Sequence, residues 1–398
     1  MAARDIGVRE LARRVHYNPG HISNLRTGRS RPSPELAADL DTALGAGGVL
    51  VTLAPPRQQL TRADDGDLEL IELARQVEAS DVGSGTIELL QTATDGLARQ
   101  YTTAEPTGVA ASARRHLRYV TGLIGKRATL TQHRDLLVIA GWLSAVIACA
   151  SYDAGDTASA ATATRMTRQF GETAEHAELT AWSFEIAAWF ALTEGRFADA
   201  AALCDAGIER AGTSNAGVQL AVQTARAHAR MGDRQALDAL ATARTTLRRL
   251  AGTGDPQNHF VFDASKFEFY VGTVLAWLGT DDQAAVSHAR WVIAECQQDG
   301  AVRWPMRLAI SQLDLALIAA RRGDLDEAVA LGHAALLPAR RSAQLLPRAT
   351  ELGHELTCRY PGERLTGNYV DALGEERRAL TPNAARHLDD AIARRALA

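Results

Sequence analysis

The chain has 398 residues, 46% of them apolar and 23% charged, with a net charge of −4, 32 glycines and 12 prolines. Those proportions fit a globular chain of two or three domains and exclude collagen-like, disordered and disulfide-stapled classes. Aromatic residues are few while alanine and leucine dominate the apolar count, a balance that favours packed helices over sheets, so the expected fold is all-α. Cys149, Cys204, Cys296 and Cys358 are widely spaced, with no CxxC pair and no secretory leader ahead of them. Neither a disulfide framework nor a zinc knuckle is signalled, and a reducing cytoplasm is the expected setting. Lys126 and Lys266 are the only lysines against 41 arginines, a skew that says little about function.

Charge is uneven along the chain. Residues 1–57 carry eight Arg against Asp5, Glu10, Glu35, Asp39 and Asp41, a surplus of three positive charges, which leaves −7 for the remainder. A basic head on an acidic body suits contact with nucleic acid at one end, because phosphate neutralisation supplies most sequence-independent affinity.

In VRELARRV the residues Val8, Leu11, Ala12 and Val15 fall at i, i+3, i+4 and i+7, one apolar stripe of a helix, with Arg9, Arg13 and Arg14 on its other faces. A second helix is predicted from Asn18 to Thr27. Asn18 is a suitable N-cap, Pro19 suits the first helical position, Ile22 and Leu25 lie one turn apart, and Gly28 stands where a left-handed end residue is wanted. Ser33 and Pro34 repeat the cap-plus-proline signal and begin a third helix, whose Leu36, Leu40, Ala43 and Leu44 face inward before Gly45 ends it.

The string GVRELARRVHYNPGHISNLRTGRSRPSPELAADLDTALG resembles the Cro/repressor-type (XRE) helix-turn-helix domain over about residues 6 to 54. The LA of the first motif helix, the IS of the second, Gly28 and the RPSPEL entry to the third carry the likeness. The resemblance implies that Asn18 to Thr27 enters the DNA major groove with Ile22 and Leu25 in the core. Asn18, Gly20, His21, Ser23 and Asn24 then face the groove or its rim, with Asn24 able to pair bidentately with adenine. Arg26, Arg29 and Arg31 become phosphate anchors. The family has a complete helix ahead of this motif, whereas only MAARDI precedes Gly7, so that first helix is expected to be truncated. The family also has Gln where Val8 stands, and its backbone contact is expected to be lost.

After Leu53 the run APPRQQLTRADDGD has the composition of a connection, and residues 55–66 are assigned as a linker following the 1–54 domain. Helical pattern resumes in a connecting region over 67–129. From 130 to 340 the turns SYDAGDTASA, LTEGRFADA, ARMGDRQAL, AWLGTDDQA and ARRGDLDEA place Gly155, Gly195, Gly232, Gly279 and Gly323 at intervals of 40, 37, 47 and 44. Seven residues before these glycines stand Ala148, Ala188, Ala225, Gly272 and Ala316. Five after them stand Ala160, Ala200, Leu237, Ala284 and Ala328. A glycine permits the tight turn between antiparallel helices, and small residues beside it let the helices approach closely. This pattern is similar to the tetratricopeptide repeat, with longer and irregular periods. It implies an α-solenoid of helical hairpins with a concave inner wall, followed by C-terminal helices over 341–398. Head and body together resemble actinomycete-type regulators, which implies a sequence-specific DNA-binding regulator whose repeats sense an effector or provide dimer contacts. The alternative is a protein-interaction scaffold with a vestigial DNA-binding domain. The expected partners are double-stranded DNA, a peptide or small-molecule effector and a second copy of the chain, without a membrane.

The longest uncharged stretch, LLVIAGWLSAVIACASY between Asp135 and Asp153, approaches membrane-spanning length but reads as a buried core helix. No enzyme motif emerges. GLIGKRAT (Gly122 to Thr129) lacks P-loop spacing, DVGSGT (Asp81 to Thr86) holds only GxG, and the histidines form neither HxxxH nor HExxH. No catalytic residue, metal site or cofactor is therefore assigned.

One segment is chemically dense. In NHFVFDASKFEFYVGTVLAWLG (Asn258 to Gly279), Phe262, Lys266 and Tyr270 recur every four residues, Asp263 lies three before Lys266, and His259 precedes them. If this helical face lines the concave wall, it offers an aromatic floor with one cation and one anion, suited to a carboxylated or peptide-like effector. The alternative is that the aromatics pack against the next hairpin while Asp263 and Lys266 form a surface pair. Trp182, Phe184, Trp189 and Phe190 form a second aromatic group, read as interhelical core.

Overall fold

In the computed structural model, described residues are 6–15, 22, 25, 34–50, 68–73, 82–250, 254–298, 302–337, 345–378, 389, 392 and 393. The linker assigned to 55–66 lies outside them. Every regular element among the described residues is an α-helix. The chain divides into two compact units, Met1–Gly66 and Asp67–Ala398. The first contains α1 (Val8–Arg14) and α2 (Pro34–Leu44).

The second unit opens with α3 (Ser84–Gln100) and α4 (Pro106–Ile124). Five hairpins follow: α5 (Leu130–Asp153) with α6 (Thr157–Thr173), α7 (Ala177–Thr193) with α8 (Phe197–Ala211), α9 (Asn215–Arg230) with α10 (Gln235–Arg249), α11 (Ala264–Leu278) with α12 (Asp282–Cys296), and α13 (Pro305–Arg322) with α14 (Leu325–Leu336). α15 (Leu345–Arg359) and α16 (Arg364–Arg378) close the series. The first helices of successive hairpins pack on one another from α5 through α13, and α13 packs on α15, so the body is a consecutive helical stack. The stacking extends beyond 130–340 in both directions, with α3 against α5 and α16 against α14.

Each hairpin turns at one of the spaced glycines. Gly155, Gly195, Gly232, Gly279 and Gly323 all have positive φ, up to 95° at Gly323, which a residue with a Cβ adopts only under strain. Three turns are reinforced by aspartate caps: Asp156, Asp281 and Asp324 accept hydrogen bonds from the backbone N–H of Ser159, Ala284 and Glu327. Ala148, Ala188, Ala225 and Ala316 are wholly buried, as are Ala160 and Ala328. Two hairpins depart from the expected spacing. After Gly279 the helix starts one residue later, and Ala285 rather than Ala284 enters the contact. After Gly232 the chain tightens through i→i+3 bonds, Ala236 to Asp233 and Leu237 to Arg234, which bring in Ala236 and leave Leu237 half-buried.

α5 is long and apolar enough to cross a membrane, but residues from Leu136 to Tyr152 are mostly buried against neighbouring helices. A capping box fixes its start, with Thr129 and Gln132 exchanging side-chain and backbone hydrogen bonds. A strap over 254–263, between α10 and α11, reaches back to α3. Arg99 Nε donates to Asp255 at 2.6 Å, Asn258 to Asp95 at 3.3 Å, and the His259 N–H to the Ala98 carbonyl at 3.3 Å. Phe260 on this strap packs edge-on against Trp182 and tilted against Trp142, at centroid distances of 5.1 Å.

Candidate functional site

The N-terminal unit has a small core of Leu11, Ala12, Val15, Ile22, Leu36 and Leu40, with Val8, Leu25, Ala43 and Leu44 packed on it. The stripes read from Val8–Val15 and from the third helix thus face inward, and Ile22 and Leu25 join them. Burying these aliphatic groups is the main stabilisation open to so small a unit, each contributing about 1.5–3 kcal/mol when fully covered. Asp41 is a structural residue that the sequence pattern did not single out. Its carboxylate accepts the backbone N–H of Gly48 at 2.7 Å and of Leu50 at 2.8 Å, pinning the chain after α2, where Gly45, Gly47 and Gly48 have positive φ. On the opposite face of α1, Arg13 and Arg14 are exposed and both bond Glu10, Arg14 at 3.0 Å. The residues assigned to DNA contact, Asn18, Gly20, His21, Ser23, Asn24, Arg26, Arg29 and Arg31, lie outside the described residues.

In the helical body, the inner helices α7, α9, α11 and α13 line most of a pocket with an inner space of about 110 Å³, open on one side. Of the five residues assigned from the Asn258–Gly279 segment, His259, Lys266 and Tyr270 line it. Phe262 and Asp263 take other positions. Asp263 is the N-cap of α11 and accepts the Lys266 N–H at 2.8 Å, so the helix begins at Ala264 and Phe262 falls outside its period. Phe262 is sealed beneath Lys266, whose ammonium lies 5.6 Å from its ring centre and equally far from that of Trp182. The expected surface pair of Asp263 and Lys266 is not what forms. Both side chains are buried, Asp263 faces Arg307 at 3.4 Å, and Lys266 Nζ donates to the His259 carbonyl at 2.9 Å.

Most of the polar wall comes from residues that sequence reasoning passed over. Glu185 of α7 is buried and accepts from Gln219 Nε2 at 2.9 Å and Gln223 Nε2 at 2.7 Å. Gln219 also donates to the Tyr270 hydroxyl at 2.8 Å, and Arg226 Nη1 donates to Gln223 Oε1 at 2.7 Å. Two signals in the sequence mark these residues. Gln219, Gln223 and Arg226 sit at i, i+4 and i+7 as a polar stripe among the alanines and valines of α9, and Glu185 is a lone acid in the run WSFEIAAWF. Trp189, from the second aromatic group, lines the cavity, whereas Trp182 is in the core.

Burial dominates the electrostatics. It pushes the Glu185 carboxyl upward, against the Gln223 and Gln219 hydrogen bonds and the charges of Lys266 and Arg226. Burial, with the nearby Arg307 charge, brings Lys266 down to about 8, and burial also lowers Arg226. Arg226 Nε, Arg307 Nη1 and Trp304 Nε1 are buried donors without an acceptor among the described residues. Among the described residues the lining thus holds three unpaired buried donors and one unpaired buried acceptor, Gln219 Oε1, with Lys266, Arg226 and Arg307 beside the carboxyl groups of Glu185 and Asp153.

A larger hollow of about 690 Å³ lies between α9, α13 and α15, but its charges are matched. Both terminal nitrogens of Arg348 bond carboxylates, those of Asp314 and Glu351, and Arg230 forms a two-point bond with Glu351, at 3.1 Å on its longer arm. Among the described residues no group of three or more His, Cys, Asp or Glu has the arrangement of a metal site.

Residues 1–54 match the family described as a helix-turn-helix domain. No curated protein matches the chain. A helix-turn-helix domain at the head of an all-helical stack is the organisation of a DNA-binding regulator.

Proposed function

We propose that the protein is a sequence-specific transcriptional regulator of Cro/repressor type, whose tetratricopeptide-like body senses an effector and joins two copies of the chain. The observation that carries this reading is the helix-turn-helix match over residues 1–54, with Ile22 and Leu25 turned into the core of that unit. A helix whose buried side holds these two residues leaves Asn18, Gly20, His21, Ser23 and Asn24 for the groove, and Arg26, Arg29 and Arg31 for phosphates. Support for the repeat assignment comes from the positive-φ glycine turns flanked by buried alanines. Support for effector sensing comes from the under-paired cavity. In this reading the chain performs no turnover, and it works in the cytoplasm with its four cysteines reduced. Dimerisation places two recognition helices about one DNA turn apart and sums their contact energies.

Selection from a randomised duplex pool, followed by titration at several salt concentrations, tests the DNA assignment. Arg29→Ala weakens binding to every duplex alike and lowers the log-salt slope by about one. Asn24→Ala changes the preferred base at one position, by about 1–3 kcal/mol of discrimination. A full chain that shows no salt-dependent duplex binding, yet forms a stable complex with another protein, instead supports the scaffold reading.

A further inference from the structure

The strap over 254–263 changes what the inner wall of the helical stack can hold. An open superhelical groove accommodates an extended peptide, whereas here Asp255, Asn258 and His259 tie the strap to α3 beside a pocket that is open on one side and has an inner space of about 110 Å³. The pocket suits a small molecule with its head in the inner space and the rest of it toward the open side. Thr102, His259 and Met306, all half-buried, form the rim through which it passes.

The lining specifies the chemistry of that occupant. One side is apolar, built from Trp189, Phe269, Met306 and Ile310. The other carries three cations, Arg226, Lys266 and Arg307, against the buried carboxylates Glu185 and Asp153. Asp153 already accepts the Tyr101 hydroxyl at 2.8 Å, and Glu185 accepts both glutamines. Among the described residues neither Arg226 nor Lys266 has a carboxylate within bonding distance, and Arg307 reaches Asp263 only at 3.4 Å. Unused N–H groups on Arg226, Arg307 and Trp304 are costly while buried, and an arriving anion relieves that cost. The Asp153 carboxylate in the same wall disfavours a ligand with a second negative charge.

We propose that this cavity binds a small monocarboxylate with a compact aromatic or branched aliphatic body, its carboxylate received by Arg226, Arg307 and Lys266. The inference rests on the effector-sensing reading above and names the class of effector. Arginine supplies planar, paired N–H groups matched to a carboxylate, while the apolar wall rewards a short hydrocarbon body and excludes a fully hydrated ion.

The sequence provides an unusually clean readout, because lysine-selective isotope labelling of the full chain gives only two side-chain signals, exposed Lys126 and buried Lys266. The chain is titrated with benzoate and with 3-methylbutyrate, and separately with benzamide as a neutral shape control and with inorganic phosphate. The expected result is saturable movement of the Lys266 signal with at least one of the two acids, an unmoved Lys126 signal, and binding of benzamide and phosphate weaker by about tenfold or more. Arg307→Gln and Arg226→Gln, checked for retained helical circular dichroism, each weaken binding of the acid by about tenfold or more. An unmoved Lys266 signal with both acids, or equal binding of benzamide or phosphate, overturns the proposal without recourse to any variant. The measurement needs no DNA. A chain that binds an acid but no duplex refutes the regulator reading alone, and one that binds duplex but neither acid refutes the ligand class alone.

Discussion

Two clusters of buried charge lie in the same helical body, and they are built on opposite terms. Around Arg348 the guanidinium bonds Asp314 and Glu351, Thr273 donates to Asp314 at 2.7 Å, and Arg230 bonds Glu351. Around Lys266 neither Lys266 nor Arg226 bonds a carboxylate among the described residues, and three residues of the lining keep a buried N–H unpaired beside the unpaired Gln219 Oε1. Arg348 Nε has no acceptor among the described residues, but the charge is answered by two bonded carboxylates, and such an ion fixes the register of packed helices. One that is left short of partners costs stability, and that cost marks a place where something else completes the site.

The largest expected effect comes from breaking the matched cluster. Arg348→Met leaves Asp314 buried without a cation and Glu351 with Arg230 alone, and the chain loses about 3–5 kcal/mol in urea unfolding. Removing the cation from the unmatched cluster acts in the opposite direction. Burial and the Arg307 charge lower Lys266 from 10.5 to about 8, while Glu185 and Asp263, facing it from α7 and from the start of α11, and Cys149, from α5, act to raise it. A base held below its unfolded value opposes folding, fully below pH 8, and that opposition fades as pH rises toward 10.5. Lys266→Met is therefore more stable than the parent by about 3 kcal/mol at pH 7, and the difference between the two closes through that alkaline window. Comparing parent and variant at each pH cancels the contributions of other groups. A gap that stays constant with pH would place the Lys266 ammonium in a solvated setting and remove the contrast between the clusters.

Gly323→Ala, remote from either site, gives the background cost of disturbing a hairpin. With φ at 95° the alanine strains the turn by about 1–2 kcal/mol, with no change in the Lys266 titration. Smallest in stability is Glu185→Gln, within about 1 kcal/mol of the parent, because an amide oxygen still accepts from Gln219 and Gln223 while a buried charge is removed. Its sharper effect is on Lys266. Loss of the opposing charge moves that titration below 8, a shift read directly in the lysine spectrum.

The helical class and the hairpin series were legible because their causes are local. A glycine that must adopt positive φ and an alanine that must admit a neighbouring helix leave marks at regular distances, as at Gly155 with Ala148 and Ala160. Where a turn gained or lost a residue, as after Gly279 and Gly232, the offset moved by one and the sequence rule named the adjacent residue. The cavity was only half legible. Lys266, Tyr270 and His259 stand within one segment, whereas Glu185, the α9 stripe and Arg307 reach the same wall from three other helices. Their convergence depends on how the stack curves, which no single periodicity records. Phe262 was misplaced for a different reason, since a helical face was extended across a capping residue, Asp263, that ends it.

The strap bears on how the molecule comes apart. In an open array each unit holds only its neighbours, so terminal units fray first and unfolding spreads inward stepwise. Here contacts spanning 156 and 163 positions, Arg99 to Asp255 and Asn258 to Asp95, make a clasp between the beginning of the array and its middle. Everything from α4 to α10 lies within that loop. Its members share one fate under denaturant, and amide exchange across them converges on a single opening energy, while α15 and α16 beyond the clasp exchange sooner.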